Sequence, residues 1–400
     1  MNEFAVLGQV ALAYSPMIDR HRAITALRLT VFPLRPGATP DAGELRAMLD
    51  QAWPAASGRL SLNVASEGLL GQLLCDDLAP HLMLEVPAFM AGDPGQSEAL
   101  LARHRAGNTL LIKGRPLSPL PREVLPCFAY SIIDLADERR DGLPPPGGVS
   151  RNIPHVQAGV RTMAAMAEAF ARGALAVLGW PIDDLAVQPG AGRTSSAQPE
   201  IQAIVELINR IDRGEPLDRL EAVMKIDPTM AFRLLRYINA AKFGLRVEVT
   251  SFRHAIQMLG YSRLKRWLVL LLAAGSRDPR MKPLVFAAVR RGLLMEELGR
   301  AGGCDEERRG ELFICGVFSL LDRLMQQPFA ELLADIPASE AVRAALVDGS
   351  GPHIRFLELV QAIEAAILPD IVDAAQSLLM AMSEVNQATL RALSAARALD

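Results

Sequence analysis

The sequence predicts two folded parts of different class, an α/β part followed by an all-α part. In the first half of the 400 residues, short apolar runs of strand length alternate with patterns of helical period, which is typical of a sheet with crossover helices. Residues 183–198 contain Pro189-Gly190-Ala191-Gly192 and Thr194-Ser195-Ser196 in a polar segment without periodicity, which marks a domain boundary. From Ile201 onward the periodicity is helical. The predicted bounds are therefore 1–184 for the first domain, 185–199 for a linker and 200–400 for the helical domain.

Six apolar runs are the strand candidates of the first half: Val6–Tyr14, Ile24–Phe32, Leu60–Val64, Leu82–Val86, Thr109–Ile112 and Ala129–Leu135. Helical patterns cover Ala42–Trp53 and Gln96–Arg105 between them. Parallel strands joined by right-handed crossovers close into a barrel or remain an open sheet, and both architectures fit this pattern.

Three short helices with clear stops are predicted for residues 227–267. An aspartate followed by proline begins the first helix, and glycines end the first and second, because glycine reaches the left-handed conformation without steric cost. An asparagine close to the first helix end can satisfy backbone groups that the helix leaves unbonded. The residues with these structural roles are Asp227, Asn239, Phe243, Gly244 and Gly260.

Composition excludes several classes of protein. The formal charge of -3 gives no overall attraction to nucleic acid or to acidic membranes. Four widely spaced cysteines form no CxxC pair, so neither a zinc site nor a disulfide framework is indicated, and no cofactor is expected. The start of the chain has no basic region typical of a signal peptide, and the longest dense apolar run, residues 267–274, is too short to span a bilayer. We therefore expect a cytoplasmic protein without membrane contact.

The residues of the second half strongly resemble the HDOD domain of bacterial signalling proteins. The matching features are Asp227-Pro228, the run Leu234–Asn239, Phe243-Gly244, Ser251, Ala255-Ile256, Leu259-Gly260 and the run Leu264–Leu268. HDOD domains are relatives of the HD-type metal phosphohydrolases and of HD-GYP domains, which hold metal through an adjacent His-Asp pair. None of the six histidines is followed by aspartate, so the resemblance implies a domain without catalysis.

The first half is similar to the EAL domain, a barrel that hydrolyses cyclic di-GMP in bacteria. The similarity lies in Ala13–Asp19, Ser61–Ala65, Leu84–Val86, Ile133–Leu135 and Gly173–Pro181. It implies a (β/α) barrel with carboxylates at several strand ends, which in an active enzyme hold two cations. Because the part is short, we also expect missing or shortened helices around residues 141–150.

Several EAL positions carry other residues in this chain. Leu27 stands where the glutamate that names the family should fall, and Val31 stands in place of an arginine that contacts phosphate. Lys113-Gly114-Arg115 replaces the paired aspartates. Ile132 and Arg161 replace a lysine and a glutamate. The resemblance therefore implies a degenerate EAL-like domain.

The possible remaining metal ligands are Asn63, Glu85 and Asp134. Glu85 has a second interpretation, which is a salt bridge to Arg28, Lys113 or Arg115. Three scattered groups do not make a two-metal site, so we expect no metal and no phosphodiesterase activity.

A basic cluster lies between residues 233 and 266, with eight basic residues and one acid. Such a cluster could contact phosphates, or it could form a partner surface or pair with acids of the same domain. The candidate interaction surface consists of Arg253, Arg263, Lys265 and Arg266.

Both halves together resemble bacterial EAL–HDOD signalling proteins. This resemblance favours a non-enzymatic regulator of signal transduction that acts through protein–protein interaction with a signalling partner. Two alternatives remain: a cyclic di-GMP receptor that binds without hydrolysis, and a regulator that binds nucleic acid through the basic cluster. The sequence names neither the partner nor the oligomeric state.

Overall fold

In the computed structural model, eight strands form a closed barrel in which each strand pairs with its neighbours in chain order. The first strand is antiparallel to the second and to the eighth, and all other neighbouring pairs are parallel. The strands are β1 Val10–Asp19, β2 Ile24–Pro33, β3 Arg59–Val64, β4 Leu82–Pro87, β5 Leu110–Lys113, β6 Phe128–Asp134, β7 His155–Ala158 and β8 Ala176–Leu178. The predicted (β/α) barrel is thus confirmed, and the open sheet is excluded.

The structure describes residues 4–116, 119–136, 153–185, 199–216, 219–220, 260–261, 264–265, 268–269, 281–325, 328–335 and 338–396. Contacts divide the chain into two units, one of residues 1–185 with 361–387 and the other of residues 186–360 with 388–400. Within the described ranges, no helix combines the length and the apolar character needed to cross a membrane.

Helices cover the outside of the barrel after several of its strands: α1 Ala42–Ala52, α2 Glu67–Cys75, α3 Ala88–Ala91, α4 Ser97–Arg105 and α5 Met163–Ala171. Side-chain caps begin three of them, because Asp41, Ser66 and Thr162 each accept a hydrogen bond from a backbone amide of the first turn. Between β5 and β6, the described residues contain a short 3₁₀ turn, Leu125–Cys127, where a full crossover helix would otherwise lie. The predicted shortening at residues 141–150 lies outside the described residues.

The barrel interior has an apolar layer that closes its centre. Strands β1, β2 and β4–β8 all contribute to it, and its members are Met17, Ala26, Met83, Leu111, Ile132, Val156, Ala158, Ala176 and Leu178. Polar side chains lie closer to the carboxyl ends of the parallel strands. The barrel is therefore a packed core with one polar end.

The second unit is built from helices in its described residues, which confirms the predicted all-α domain. The helices after the barrel are α6 Pro199–Asp212, α7 Lys282–Ala301, α8 Glu306–Phe318, α9 Leu321–Met325, α10 Phe329–Asp335, α11 Glu340–Val347, α12 Ile354–Ala365, α13 Leu368–Ser377 and α14 Met382–Ala396. Helices α7 and α8 pack closely where Gly292 faces Gly316, since an added Cβ on Gly316 would lie 2.7 Å from the Cα of Gly292. The predicted three-helix unit of residues 227–267 lies mostly outside the described residues.

Residues 361–387 belong by their contacts to the barrel unit. Helix α13 packs against β1, and the side chain of Asn386 is hydrogen-bonded to backbone groups at the start of that strand. The predicted bounds assign this segment to the helical domain of residues 200–400, so the observed contacts group it differently. The reason is tertiary, because the partners of Asn386 lie more than 370 positions away in the chain.

Candidate functional site

Polar side chains of β2, β3, β4 and β5 converge inside the barrel. Thr30, Ser61, Asn63 and Glu85 are all buried. Alternate residues of a strand point to the same face, so Ser61 and Asn63 of β3 both reach the interior. Two cationic side chains form hydrogen bonds with these buried polar residues. Arg28 of β2 bonds to Glu85, and Lys113 of β5 bonds to Asn63.

Arg28 and Glu85 form a buried ion pair with two hydrogen bonds. The Nε of Arg28 lies 2.8 Å from Oε1 of Glu85, and the second guanidinium nitrogen lies 2.6 Å from Oε2. Ser61 donates a further hydrogen bond to Oε1 at 2.9 Å. The Glu85 side chain is 0% exposed and that of Arg28 is 15% exposed. Of the three cations considered as partners of Glu85, Arg28 is the one that forms this pair.

Lys113 is bonded to the amide that was considered as a metal ligand. Its Nζ donates to Oδ1 of Asn63 at 2.8 Å, and Nδ2 of Asn63 donates to the hydroxyl of Thr30 at 3.2 Å. Lys113 stands where the EAL resemblance places paired aspartates. A positive charge therefore lies in the part of the barrel where negative charge would be needed to bind a metal cation.

Asp134 ends β6 and lies at the wall of a cavity of about 730 Å³. Its Oδ1 accepts a hydrogen bond from the backbone amide of Ala136 at 2.9 Å. The charged residues that line the cavity are Arg28, Asp93, Lys113, Arg115 and Asp134. Phe89 also lines it and exposes a large part of its ring.

The residues present do not fit a two-metal site. Glu85 and Asn63 are each bonded to a protein cation, and Asp134 is used by a local turn. Within the described part of the chain, no group of three or more His, Cys, Asp or Glu side chains could hold a metal ion. Sequence reasoning named Asn63, Glu85 and Asp134 but missed Thr30 and Ser61, which the period-two alternation along β2 and β3 could have indicated.

Two of the residues singled out in the helical domain are described. Gly260 has a φ of 74°, in the left-handed region that favours glycine. The Nζ of Lys265 lies 2.7 Å from both carboxylate oxygens of Asp212, so this member of the candidate surface forms an intramolecular ion pair. The remaining residues lie outside the described part: Asp227, Asn239, Phe243, Gly244, Arg253, Arg263 and Arg266.

A second polar group lies in the helical unit. The Nε2 of the buried His353 is 3.1 Å from a carboxylate oxygen of Glu311 on α8. Burial lowers the pKa of His353, while Glu311 raises it and Arg308 lowers it. Burial also raises the pKa of Asp322 on α9. Neither group has the adjacent His-Asp arrangement of a metal phosphohydrolase.

Comparison with known proteins identifies part of the helical region. Residues 198–338 match the HDOD domain family. The chain carries an HDOD domain. The HDOD domain predicted from the sequence is thus confirmed, and α6 to α10 lie within the matched residues.

Two named proteins are similar in sequence to part of this HDOD-containing chain. The uncharacterized protein YuxH of Bacillus subtilis is 25% identical over 165 residues, which cover 40% of this chain and 40% of YuxH. The cyclic di-GMP phosphodiesterase CdgJ of Vibrio cholerae is 26% identical over 148 residues, which cover 37% of this chain and 34% of CdgJ. The chain thus spans well under half the length of each of these relatives.

Solved structures are also similar to the chain, at low sequence identity. The EAL domain of FimX from Pseudomonas aeruginosa, bound to c-di-GMP, is 14% identical with a TM-score of 0.29, and the similarity covers 46% of this chain and 96% of that domain. BlrP1 of Klebsiella pneumoniae, in a complex with calcium and c-di-GMP, is 15% identical with a TM-score of 0.32, covering 46% and 57%.

Proposed function

We propose that this chain is a non-enzymatic bacterial signal-transduction regulator that acts through protein–protein interaction. The observation that carries the proposal is the pair of protein cations in the polar layer of the barrel. Arg28 lies 2.6 Å from Glu85, and Lys113 lies 2.8 Å from Asn63. The potential metal ligands of these strands are therefore engaged by the protein itself.

Metal-assisted hydrolysis of a phosphodiester needs two cations that activate water and stabilise the developing charge. Oxygen ligands with net negative charge hold such cations. A divalent ion beside Glu85 and Asn63 would meet the positive charges of Arg28 and Lys113 at close range. It would also have to displace both hydrogen bonds between Arg28 and Glu85. These two costs favour a barrel that serves as a scaffold or docking surface.

The helical domain supports the regulatory half of the proposal. The same chain contains the HDOD match and the barrel. Among the described residues, no group of three or more His, Cys, Asp or Glu side chains could hold a metal ion. One relative, CdgJ, is named as a cyclic di-GMP phosphodiesterase, and this name supports a role in cyclic di-GMP signalling. The proposed regulator would work in the same kind of network without catalysis of its own.

A cyclic di-GMP receptor without hydrolysis is the second candidate, because one observation favours it. The cavity of about 730 Å³ is lined by Arg28, Lys113 and Arg115, and guanidinium and ammonium groups bind phosphate oxygens well. Leu27 and Val31 weaken this candidate, since in the EAL resemblance they stand in place of residues that would contact metal and phosphate.

Nucleic-acid binding through the basic cluster gains no support from Lys265, whose charge is paired with Asp212.

The test uses the full-length protein with cyclic di-GMP and either magnesium or manganese, and it measures the linear dinucleotide product by chromatography. We expect no product above a protein-free control. Turnover that disappears in Glu85→Ala would contradict the non-enzymatic proposal, because it would show that Glu85 holds a metal.

Calorimetry without metal separates the two candidates. Arg115→Ala changes a cation that lines the cavity, and Arg59→Ala is its matched control at the opposite, amino-terminal end of β3. We expect no binding of cyclic di-GMP by the unmodified protein. Micromolar binding that Arg115→Ala weakens and Arg59→Ala preserves would favour the receptor instead.

A further inference from the structure

The seam between β1 and β8 is short compared with the first strand. Strand β8 has three residues and pairs with β1 only at Met17, Ile18 and Asp19. Strand β1 is ten residues long, so its first seven residues extend past the end of β8. The barrel must close that part of the seam by other means, because buried backbone groups need hydrogen-bond partners.

The backbone groups that face the seam belong to even-numbered residues of β1. The carbonyl of Gln9 accepts from the amide of Leu34 at 2.9 Å, on the side of β2. Successive residues of an antiparallel strand direct their backbone groups to opposite sides. Val10 and Leu12 therefore direct theirs away from β2, toward the seam.

Asn386 bonds to these groups as a neighbouring strand would. Its Oδ1 accepts from the amide of Leu12 at 2.9 Å, and its Nδ2 donates to the carbonyl of Val10 at 2.7 Å. Nδ2 also donates to the carbonyl of Leu7 at 2.7 Å. The side-chain carboxamide of one buried residue thus replaces a peptide group that β8 is too short to supply.

The next part of the seam is closed by residues that follow β8. The indole Nε1 of Trp180 donates to the carbonyl of Tyr14 at 3.3 Å, and the two rings meet edge to face. The amide of Gly179 donates to the carbonyl of Pro16 at 3.2 Å. Pro16 has no amide hydrogen, so its position on this edge requires no acceptor.

Residues 361–387, which we call the C-terminal strap, place Asn386 at the seam. Helix α13 packs against β1, and Ile371, Ala375 and Val385 of the strap are buried. Two residues of the strap have left-handed backbone without being glycine, Ala366 with φ of 55° and Leu379 with φ of 56°. They flank α13, and the Leu379 side chain is also almost wholly exposed, with a relative accessibility of 94%.

Left-handed backbone at a residue with a Cβ costs free energy and persists only where surrounding contacts enforce it. In the strap, backbone hydrogen bonds at the helix ends hold this conformation, since the amide of Ala366 donates to the carbonyl of Ala362 and the amide of Leu379 donates to that of Gln376. This strain is relieved when the strap unfolds, so it lowers the free energy needed to release the strap by local unfolding, compared with an unstrained segment that makes the same contacts.

We propose that the C-terminal strap is a releasable seal of the β1–β8 seam, with Asn386 as the residue that locks it. Release leaves Val10 and Leu12 without their seam partners. This conformational device is independent of whether the barrel binds a nucleotide.

Hydrogen–deuterium exchange of the full-length protein tests the proposal, because the amide of Leu12 is itself bonded to Asn386. In Asn386→Leu, we expect exchange at residues 7–18 and 361–387 to rise by about a hundredfold, since at least two buried backbone groups lose their partners. In Leu379→Gly, we expect exchange of the same segments to slow by about fivefold, since glycine adopts positive φ without strain.

Asn108→Leu is the matched control. Asn108 is also a buried asparagine of the barrel unit, and its Nδ2 donates to the carbonyls of Leu78, Ala79 and Leu82. This variant should raise exchange near those residues and leave the strap protected. The proposal is overturned if Asn386→Leu changes residues 7–18 no more than Asn108→Leu does, or if Leu379→Gly fails to slow exchange of the strap.

Discussion

The guanidinium of Arg28 meets the carboxylate of Glu85 through two hydrogen bonds, of 2.8 and 2.6 Å, across the intervening strand β3. Ser61 of β3 adds a third hydrogen bond to the same carboxylate. Because the Glu85 side chain has no exposed surface, these donors replace all of its hydration. Removal of one partner from a buried pair therefore costs far more free energy than the intact pair contributes.

Arg28→Ala should lower the free energy of unfolding by about 3–5 kcal/mol, because it leaves the buried Glu85 carboxylate without its counter-ion. The double variant Arg28→Met with Glu85→Leu removes both charges and should recover most of that loss. Chemical denaturation of the unmodified protein, the single variants Arg28→Met and Glu85→Leu, and this double variant measures the coupling. An Arg28→Ala variant as stable as the unmodified protein would refute the assignment of Arg28 as the partner.

Gly316→Ala should destabilise the helical unit. The added Cβ would lie 2.6 Å from the backbone carbonyl of Arg291, so helices α7 and α8 would have to separate. Such overpacking costs about 1–3 kcal/mol, occasionally more. Gly310→Ala is the matched control on the same helix, since nothing lies within 4 Å of its added Cβ. That change should raise stability by about 0.5–1 kcal/mol, and thermal unfolding of both variants distinguishes the two signs.

Acidification should destabilise the helical unit through His353. Burial holds the pKa of His353 below its usual 6.5, so the unfolded chain binds a proton more readily than the folded chain does. The stability that depends on neutral His353 is complete above pH 6.5 and is lost as the pH falls through the folded-state pKa. His353→Gln should remove this part of the pH dependence. Unfolding curves between about pH 5 and 8 measure it, and an unchanged slope in the variant would show that another group is responsible.

Lys265→Glu should lower stability by up to about 1 kcal/mol, because it places two carboxylates together where Lys265 and Asp212 now pair while partly exposed. Asp212→Lys combined with Lys265→Glu restores opposite charges and should restore the melting temperature. If the single charge reversal leaves melting unchanged, Lys265 would again be a candidate for a partner surface.

Much of the fold could be predicted because the relevant signals are local. The apolar run Leu82–Val86 became β4, Leu82–Pro87, and the run Ile24–Phe32 became β2, Ile24–Pro33. Strands β7 and β8 were missed, since runs of four and three residues are too short to show a period. The predicted first strand, Val6–Tyr14, ended before Pro16, whereas β1 continues to Asp19. Proline is accepted there because its missing amide hydrogen faces the short seam.

The sequence by itself determined the two fold classes, since residue identity and periodicity are properties of short stretches. Through the EAL resemblance it also predicted that Lys113 and Arg115 stand in place of paired aspartates. Only the tertiary structure decided that Arg28 pairs with Glu85 and that Lys113 bonds to Asn63. These pairings depend on which strands are neighbours and which side chains point inward. Asn386 shows the same limit most clearly, because its partner Leu12 lies 374 positions earlier in the chain. No local pattern carries that contact, which exists only because the barrel leaves backbone groups of β1 beyond the reach of β8.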